Sequence, residues 1–240
     1  MKTTLLQNYK VFSDDINIIN ISDEIKIINT INAHSYIVAK KDKEFNQALS
    51  NSDILLPDGE GIVLMAKKLR NQNIKKIAGA DIHIKLLELA EKEGLKCFYL
   101  GASDTTLKII NDKLYSIYKN IKFGYFSPPF KDEFSEVDTQ IMIQKVNEFQ
   151  PDILFLGMTA PKQEKWAYHN KHQLNTKIVC SIGAVFDFIA ETKKRAPKWI
   201  IGIKMEWLYR SFTAWRLTKR YMYSTPLFLI ELCKLKLLKK

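Results

Sequence analysis

The sequence predicts an α/β protein: a Rossmann-like, mostly parallel sheet with flanking helices, followed by a basic helical C-terminal appendage. Three observations carry this expectation. Short apolar, β-branched runs alternate with longer stretches whose apolar residues recur every three to four positions, the pattern of successive βαβ units. Polar, often glycine-containing segments follow the apolar runs, which is where such sheets bind ligands. The net charge of +11 is confined to the last fifth of the chain.

Taken in order, the strands are expected at Ile25–Thr30, Asp53–Leu56, Leu95–Leu100, Ile121–Phe126, Asp152–Leu156 and Lys177–Ile182. Each is short, apolar and rich in Ile, Leu, Val or Phe, as a strand covered on both faces requires. Helices are expected at Ser35–Leu49, Gly61–Leu69, Ile82–Glu93, Leu107–Tyr118, Val137–Phe149 and Lys162–Gln173, from their helical spacing of apolar residues. Right-handed crossovers then bring the carboxyl ends of the strands to one edge. The residues at that edge are Thr30 and Asn32, Pro57-Asp58-Gly59-Glu60-Gly61, Gly101-Ala102-Ser103-Asp104, Ser127-Pro128-Pro129 and Gly157 through Glu164.

Composition narrows the class. A chain of 240 residues with 46% apolar content, 9 Gly and 7 Pro is neither disordered nor collagen-like. Its length suffices for one core without disulfides or a structural metal. Cys97, Cys180 and Cys233 are odd in number and far apart, which fits a reducing compartment. The first ten residues lack a signal-peptide core, and no run approaches the roughly 20 apolar residues of a membrane-spanning helix. The sequence argues against export and against a membrane span.

Residues 192–240 hold 13 Lys+Arg against Glu206 and Glu231, whereas 1–191 hold 24 charges of each sign. A neutral α/β core at 1–191 and a basic amphipathic appendage at 192–240 are therefore expected. A concentrated positive field attracts phosphate or an anionic bilayer. The appendage also interleaves Tyr221, Tyr223, Leu227, Phe228, Leu229, Ile230, Leu232, Leu235, Leu237 and Leu238 with lysines. That mixture suits a headgroup layer or a partner subunit, with the membrane the stronger expectation.

Asp58 stands between a strand and a helix, with glycines at 59 and 61. An Asp there commonly caps the helix, and the sequence alone favours that reading. A rim carboxylate can also take a proton from an attacking hydroxyl, and the two roles are compatible. Gly101-Ala102-Ser103-Asp104 opens a helix where backbone amides favour phosphate, although Asp104 serves equally well as a cap. Neither Gly-x-Gly-x-x-Gly nor a Gly-Lys-Ser/Thr phosphate loop occurs, which counts against dinucleotide dehydrogenases and nucleoside triphosphatases of those types. With no Asp-x-Asp and no metal-ligand spacing among His34, His83, His169 and His172, no obligatory metal and no cofactor is expected. His169 and His172 are read as solvated. Pro161-Lys162-Gln163-Glu164-Lys165-Trp166 begins a helix after an apolar strand, so Lys162 and Gln163 are expected to face the crevice and Trp166 the core.

Together these segments resemble the WecG/TagA/CpsF family of bacterial glycosyltransferases, from about Thr30 to Arg220. The motifs carrying the resemblance are Thr30-Ile31-Asn32, Pro57-Asp58-Gly59-Glu60-Gly61, Ala78-Gly79-Ala80-Asp81, Gly124-Tyr125-Phe126, Gly157 with Pro161-Lys162-Gln163-Glu164 and Trp166, Gly183 with Phe186-Asp187, Arg195-Ala196-Pro197, and Glu206-Trp207-Leu208-Tyr209-Arg210. The resemblance implies an inverting, metal-independent transfer of an N-acetylmannosamine-type sugar from a UDP donor to an undecaprenyl-diphosphate-linked N-acetylglucosamine. Teichoic-acid linkage units and surface polysaccharides are made this way, at the cytoplasmic face of the cell membrane by a peripheral enzyme. Asp58 then matches the family's general base and Thr30 a residue beside it. Asn32, Gly101, Lys162, Gln163 and Glu164 would line the nucleotide-sugar pocket. Arg210, Arg216 and Arg220 would hold diphosphate, which the planar guanidinium fork suits.

The chain departs from the family pattern at Met158-Thr159-Ala160, at Glu191 and at Trp215, which leaves UDP-glucose or UDP-uronic acid donors as alternatives. Two other classes compete: a nucleic-acid-binding protein using the basic tail, which the expectation of no nucleic-acid partner disfavours, and a scaffold docking an enzyme. Homo-oligomer formation stays open.

Overall fold

The computed structural model describes residues 1–191, Pro197 and 215–238, and for 215–221 the backbone alone. The strands are β1 (Thr3–Leu6), β2 (Tyr9–Phe12), β3 (Lys26–Ile31), β4 (Ile54–Pro57), β5 (Lys96–Gly101), β6 (Lys122–Phe126), β7 (Ile153–Gly157) and β8 (Ile178–Ser181). The helices are α1 (Ala33–Ala39), α2 (Lys43–Ser50), α3 (Glu60–Arg70), α4 (Gly79–Glu93), α5 (Asp104–Ile117), α6 (Glu136–Phe149), α7 (Lys162–Asn170), α8 (Val185–Ile189) and α9 (Trp215–Leu237). One sheet results, in the order β1-β2-β4-β3-β8-β7-β5-β6. Among the described residues only the β1–β2 pairing is antiparallel. The Rossmann-like α/β expectation is met.

Side-chain alternation assigns the two faces. Ile28, Leu56, Tyr99, Phe155 and Cys180 pack beneath α4, α5 and α8. On the other face Ile27, Phe98, Leu154 and Val179 meet α6 and α7, while Val11, Ile31 and Leu55 meet α1, α2 and α3. Adjacent residues such as Ile27 and Ile28 thus enter different cores, as a period of two requires. On the first face His83 is fully buried and its Nε2 lies 2.7 Å from the Tyr99 hydroxyl. Burial pushes its pKa down to about 3, so the imidazole is neutral.

The structure departs from the expected elements in four places. The β1–β2 hairpin precedes the first expected strand and joins through Gln7-Asn8, with Gln7 at φ 57°. The expected helix at 35–49 is two helices, because Asp42 caps a new one by accepting from the Phe45 amide at 3.0 Å. The five-residue α8 follows the last strand. The helix over 162–173 ends at Asn170 and tightens into a 3-10 turn at 171–173.

The appendage is helical over α9, with Pro226 inside it, and it docks on the body. Phe228 and Leu232 are buried in the same cluster as Tyr36, Ile62 and Met65. The Phe228 ring meets Tyr36 edge-on at 5.6 Å between centroids, and Lys40 pairs with Glu231 at 2.6 Å. The expectation that the tail's apolar residues serve a membrane or a partner therefore needs correction for Phe228 and Leu232, which complete this chain's own core. Tyr223, Leu227, Leu229, Ile230, Leu237 and Leu238 remain exposed. Among the described residues no helix is long and apolar enough to cross a membrane.

Candidate active site

In a doubly wound sheet, ligands bind beyond the carboxyl ends of the strands where neighbouring connections leave in opposite directions. The strand order creates that condition between β5 and β7, since the chain leaves β5 outward to β6 and leaves β7 inward to β8. Across the edge the ends follow as Asp58 (β4), Thr30 and Asn32 (β3), Gly183 (β8), Gly157 (β7) and Gly101 (β5). At about 4.8 Å per strand, the crevice from β4 to β5 spans roughly 19 Å.

Asp58 is fixed through its backbone. Its amide donates to the Ile31 carbonyl at 2.9 Å, extending the β3–β4 ladder by one step. Thr30 pairs with Leu56 in that ladder, so by alternation Thr30 and Asp58 belong to the sheet face beneath α4 and α8. The cap of α3 is Gly59 rather than Asp58, and Gly59 makes no side-chain cap bond. This corrects the capping role expected of Asp58. Gly59 has φ 111°, a conformation that side chains rarely adopt, and it turns the chain into α3 immediately after the half-buried carboxylate.

Around this carboxylate the neighbouring elements are close. The Ile77 amide donates to the Pro57 carbonyl at 2.9 Å, which brings the start of α4 to the end of β4. Asp81 accepts from the Ala78 amide at 2.8 Å and closes that turn. A Cβ on Gly79 would lie 3.3 Å from Val185, so α4 and α8 nearly touch there. Asn32 spends its side-chain oxygen on capping α1, accepting from the His34 and Ser35 amides at 3.0 Å each. Its amide nitrogen keeps its two donors for other partners.

At the β5–β7 end the fit is tight enough to require glycine. A Cβ on Gly101, at φ 128°, would lie 2.7 Å from the Gly157 carbonyl. One on Gly157 would lie 2.3 Å from the buried Phe186 ring. Gln163 and Glu164 are buried at the start of α7, with the Gln163 amide donating to Glu164 at 2.9 Å. Gln163 lies against Gly183, at φ 48°, within 3.5 Å of the position of a Cβ there. Lys162 is held by the loop that follows β6. Its ammonium donates to the Lys131 carbonyl and sits 4.5 Å from the Phe134 ring centre, held by the loop between β6 and α6. Burial lowers its pKa, against a raising influence from Asp132.

The structure thus gathers Asp58, Thr30, Asn32, Gly101, Gln163 and Glu164 along one edge and turns Lys162 to its flanking loop. Arg210 lies outside the described residues, as do Arg195-Ala196 and Glu206-Trp207-Leu208-Tyr209. Arg216 and Arg220 fall on the first two turns of α9, with their side chains outside the description. Trp166 is buried, as expected. His172 is exposed, whereas His169 bonds Glu44 at 2.6 Å. Sequence reasoning missed Lys165, Asp42 and Glu44, which tie α7 to α2. Nothing short of the tertiary contact could have paired residues so far apart.

A mostly parallel sheet flanked by helices, with a carboxylate and several glycines along its carboxyl edge, defines a Rossmann-like α/β protein. The sequence profile described as "Glycosyl transferase WecG/TagA/CpsF family" matches residues 9–240. The chain belongs to that family. It is 31% identical over 209 residues to an N-acetylglucosaminyldiphosphoundecaprenol N-acetyl-beta-D-mannosaminyltransferase of Bacillus subtilis (strain 168), covering 87% of this chain and 79% of the relative. A protein of the same name from Staphylococcus aureus (strain MRSA252) is 27% identical over 237 residues, 98% of this chain and 89% of the relative.

Proposed function

We propose that this protein transfers N-acetylmannosamine from a UDP donor to undecaprenyl-diphosphate-linked N-acetylglucosamine, in teichoic-acid or surface-polysaccharide synthesis. The observation that carries the reading is Asp58, a carboxylate hung on the β3–β4 ladder two residues beyond Leu56, the partner of Thr30, in a chain matched over most of its length by relatives of that named activity. Asp58 takes the proton of the acceptor hydroxyl as its oxygen bonds the anomeric carbon. The bond from that carbon to the donor phosphate breaks on the opposite side, and UDP leaves with the electron pair. Inversion of an α-linked donor gives the β linkage in the relatives' name.

Asn32, Gly101, Gln163 and Glu164 line the donor pocket in this reading. Lys162 reaches it by exchanging the Lys131 carbonyl for a ligand oxygen. Arg210, Arg216 and Arg220 stabilise charge on departing UDP without a metal ion, because guanidinium forks stay charged and bond phosphate bidentately. The 192–240 appendage joins the 1–191 core as a membrane-contacting unit. Its exposed Leu227, Leu229 and Ile230, with Lys234 and Lys236, suit the anionic inner face of the cell membrane.

The test is Asp58→Asn assayed with UDP-N-acetylmannosamine and a short-chain lipid-linked acceptor. A general base contributes about 10²- to 10⁴-fold, so turnover should fall at least ~100-fold while UDP still binds. Turnover near wild type would remove Asp58 from the chemistry.

A further inference from the structure

Helix α7 buries Gln163 and Glu164 on its inner side, with Gln163 against Gly183 at the end of β8, and carries Lys165 and His169, four residues apart, on its other side. The Lys165 ammonium lies 2.8 Å from the Asp42 carboxylate and 2.8 Å from that of Glu44. His169 reaches the other Glu44 oxygen at 2.6 Å. Both carboxylates belong to the start of α2, where Asp42 is also the cap. The electrostatics agree with the geometry. Burial depresses the Lys165 pKa, but its bonds to Asp42 and Glu44 outweigh that and raise it. The bond from Lys165 holds Glu44 below the ordinary carboxylate range, with His169 adding to it. Asp42 is lowered despite its burial, by Lys165 and the Phe45 amide.

We infer that Lys165, clamped between Asp42 and Glu44, is a positioning residue that sets the rotation of α7 and thereby aims Gln163 at the donor. The inference rests on the proposed reading of the crevice as a UDP-sugar site. Two anchors one turn apart resist rotation of a helix about its axis, which one anchor cannot. The helix has only nine residues, and its inner stripe offers Trp166 and Ala167 as packing but polar Gln163 and Asn170 at either end. Its register at the crevice end therefore depends on the outer clamp. Asp58 stands on a different element, held by the β3–β4 ladder, so loosening α7 affects donor binding and spares the chemical step.

The experiment compares wild type, Lys165→Met, Lys165→Arg and Glu44→Gln in the full chain. UDP affinity is measured by calorimetry, KM and kcat are measured with saturating acceptor, and unfolding is followed by heat. Lys165→Met and Glu44→Gln should each weaken UDP binding and raise donor KM about three- to tenfold, with kcat within about twofold of wild type. Lys165→Arg, which can bridge the same carboxylates, should restore both. The double variant Lys165→Met/Glu44→Gln should be no worse than the worse single variant, because one clamp is lost in all three. Unchanged UDP affinity in both single variants, or a loss of kcat with KM constant, would overturn the inference and leave the crevice reading intact. A wild-type protein that binds no UDP would overturn the crevice reading and the inference with it.

Discussion

Phe228→Ala tests whether the C-terminal helix is part of the folded body. The Phe228 side chain is 2% exposed, sits edge-on to Tyr36, and approaches Gly61 so closely that a Cβ there would be 3.3 Å from its ring. Removing the ring forfeits about 2 to 3 kcal/mol of apolar burial and about 1 kcal/mol from the aromatic pair. The total of roughly 3 to 4 kcal/mol agrees with measured costs of buried Phe→Ala changes. In a chain of this size that lowers the unfolding midpoint by about 6 to 16 °C. Calorimetry or denaturant unfolding reads the loss, and limited proteolysis reads its location, since a helix released from α1 and α3 is cut first within 215–238. Because Gly61 follows Asp58 by three residues, detachment should also reduce transfer activity. A variant that melts and is cleaved like wild type would refute the docking of α9, and with it any contribution of the appendage to the site through this contact.

Three further outcomes follow from the same physics. His83 has a folded pKa near 3 against about 6.5 unfolded, so the unfolded chain binds the extra proton and stability is lost as pH falls below 6.5. Between pH 7 and 5 this residue should cost roughly 2 kcal/mol, a slope that His83→Phe removes; coincident slopes would contradict its burial. Gly157→Ala should destabilise the protein by about 3 kcal/mol or more and weaken UDP binding, because the new methyl overlaps the Phe186 ring; a wild-type midpoint would show that β7 and α8 are not packed this closely. Leu229→Asp/Ile230→Asp should weaken binding to anionic vesicles about tenfold or more without altering the unfolding midpoint, as both side chains are exposed; equal vesicle binding would remove this face of α9 from membrane contact.

Legibility in the sequence followed local physics. The strands β3 to β8 were readable from short apolar stretches, plainest in Ile153–Leu156, which is apolar and buried at every position because both of its faces are covered. The β1–β2 hairpin escaped notice because Gln7-Asn8 lacks the Gly that normally announces a two-residue turn. The break at Asp42 was readable in principle, as an Asp three residues ahead of the buried Phe45, but the apolar period continues across it. Asp58 was found by its place after a strand and before a helix, while its role as cap was misassigned because Gly59, free to adopt φ 111°, takes that position instead.

By itself the chain's order of apolar and polar residues determined a parallel α/β sheet, a carboxylate at its ligand-binding edge and a basic, amphipathic end, since each depends on neighbours within a few positions. Only the tertiary structure decided that β5 and β7 diverge at the crevice, that Lys162 turns to the Lys131 carbonyl, that Lys165 grips α2, and that Phe228 closes the core beside Gly61. Those facts depend on contacts between residues up to almost two hundred positions apart, whose geometry is set by packing and strand order rather than by any local pattern.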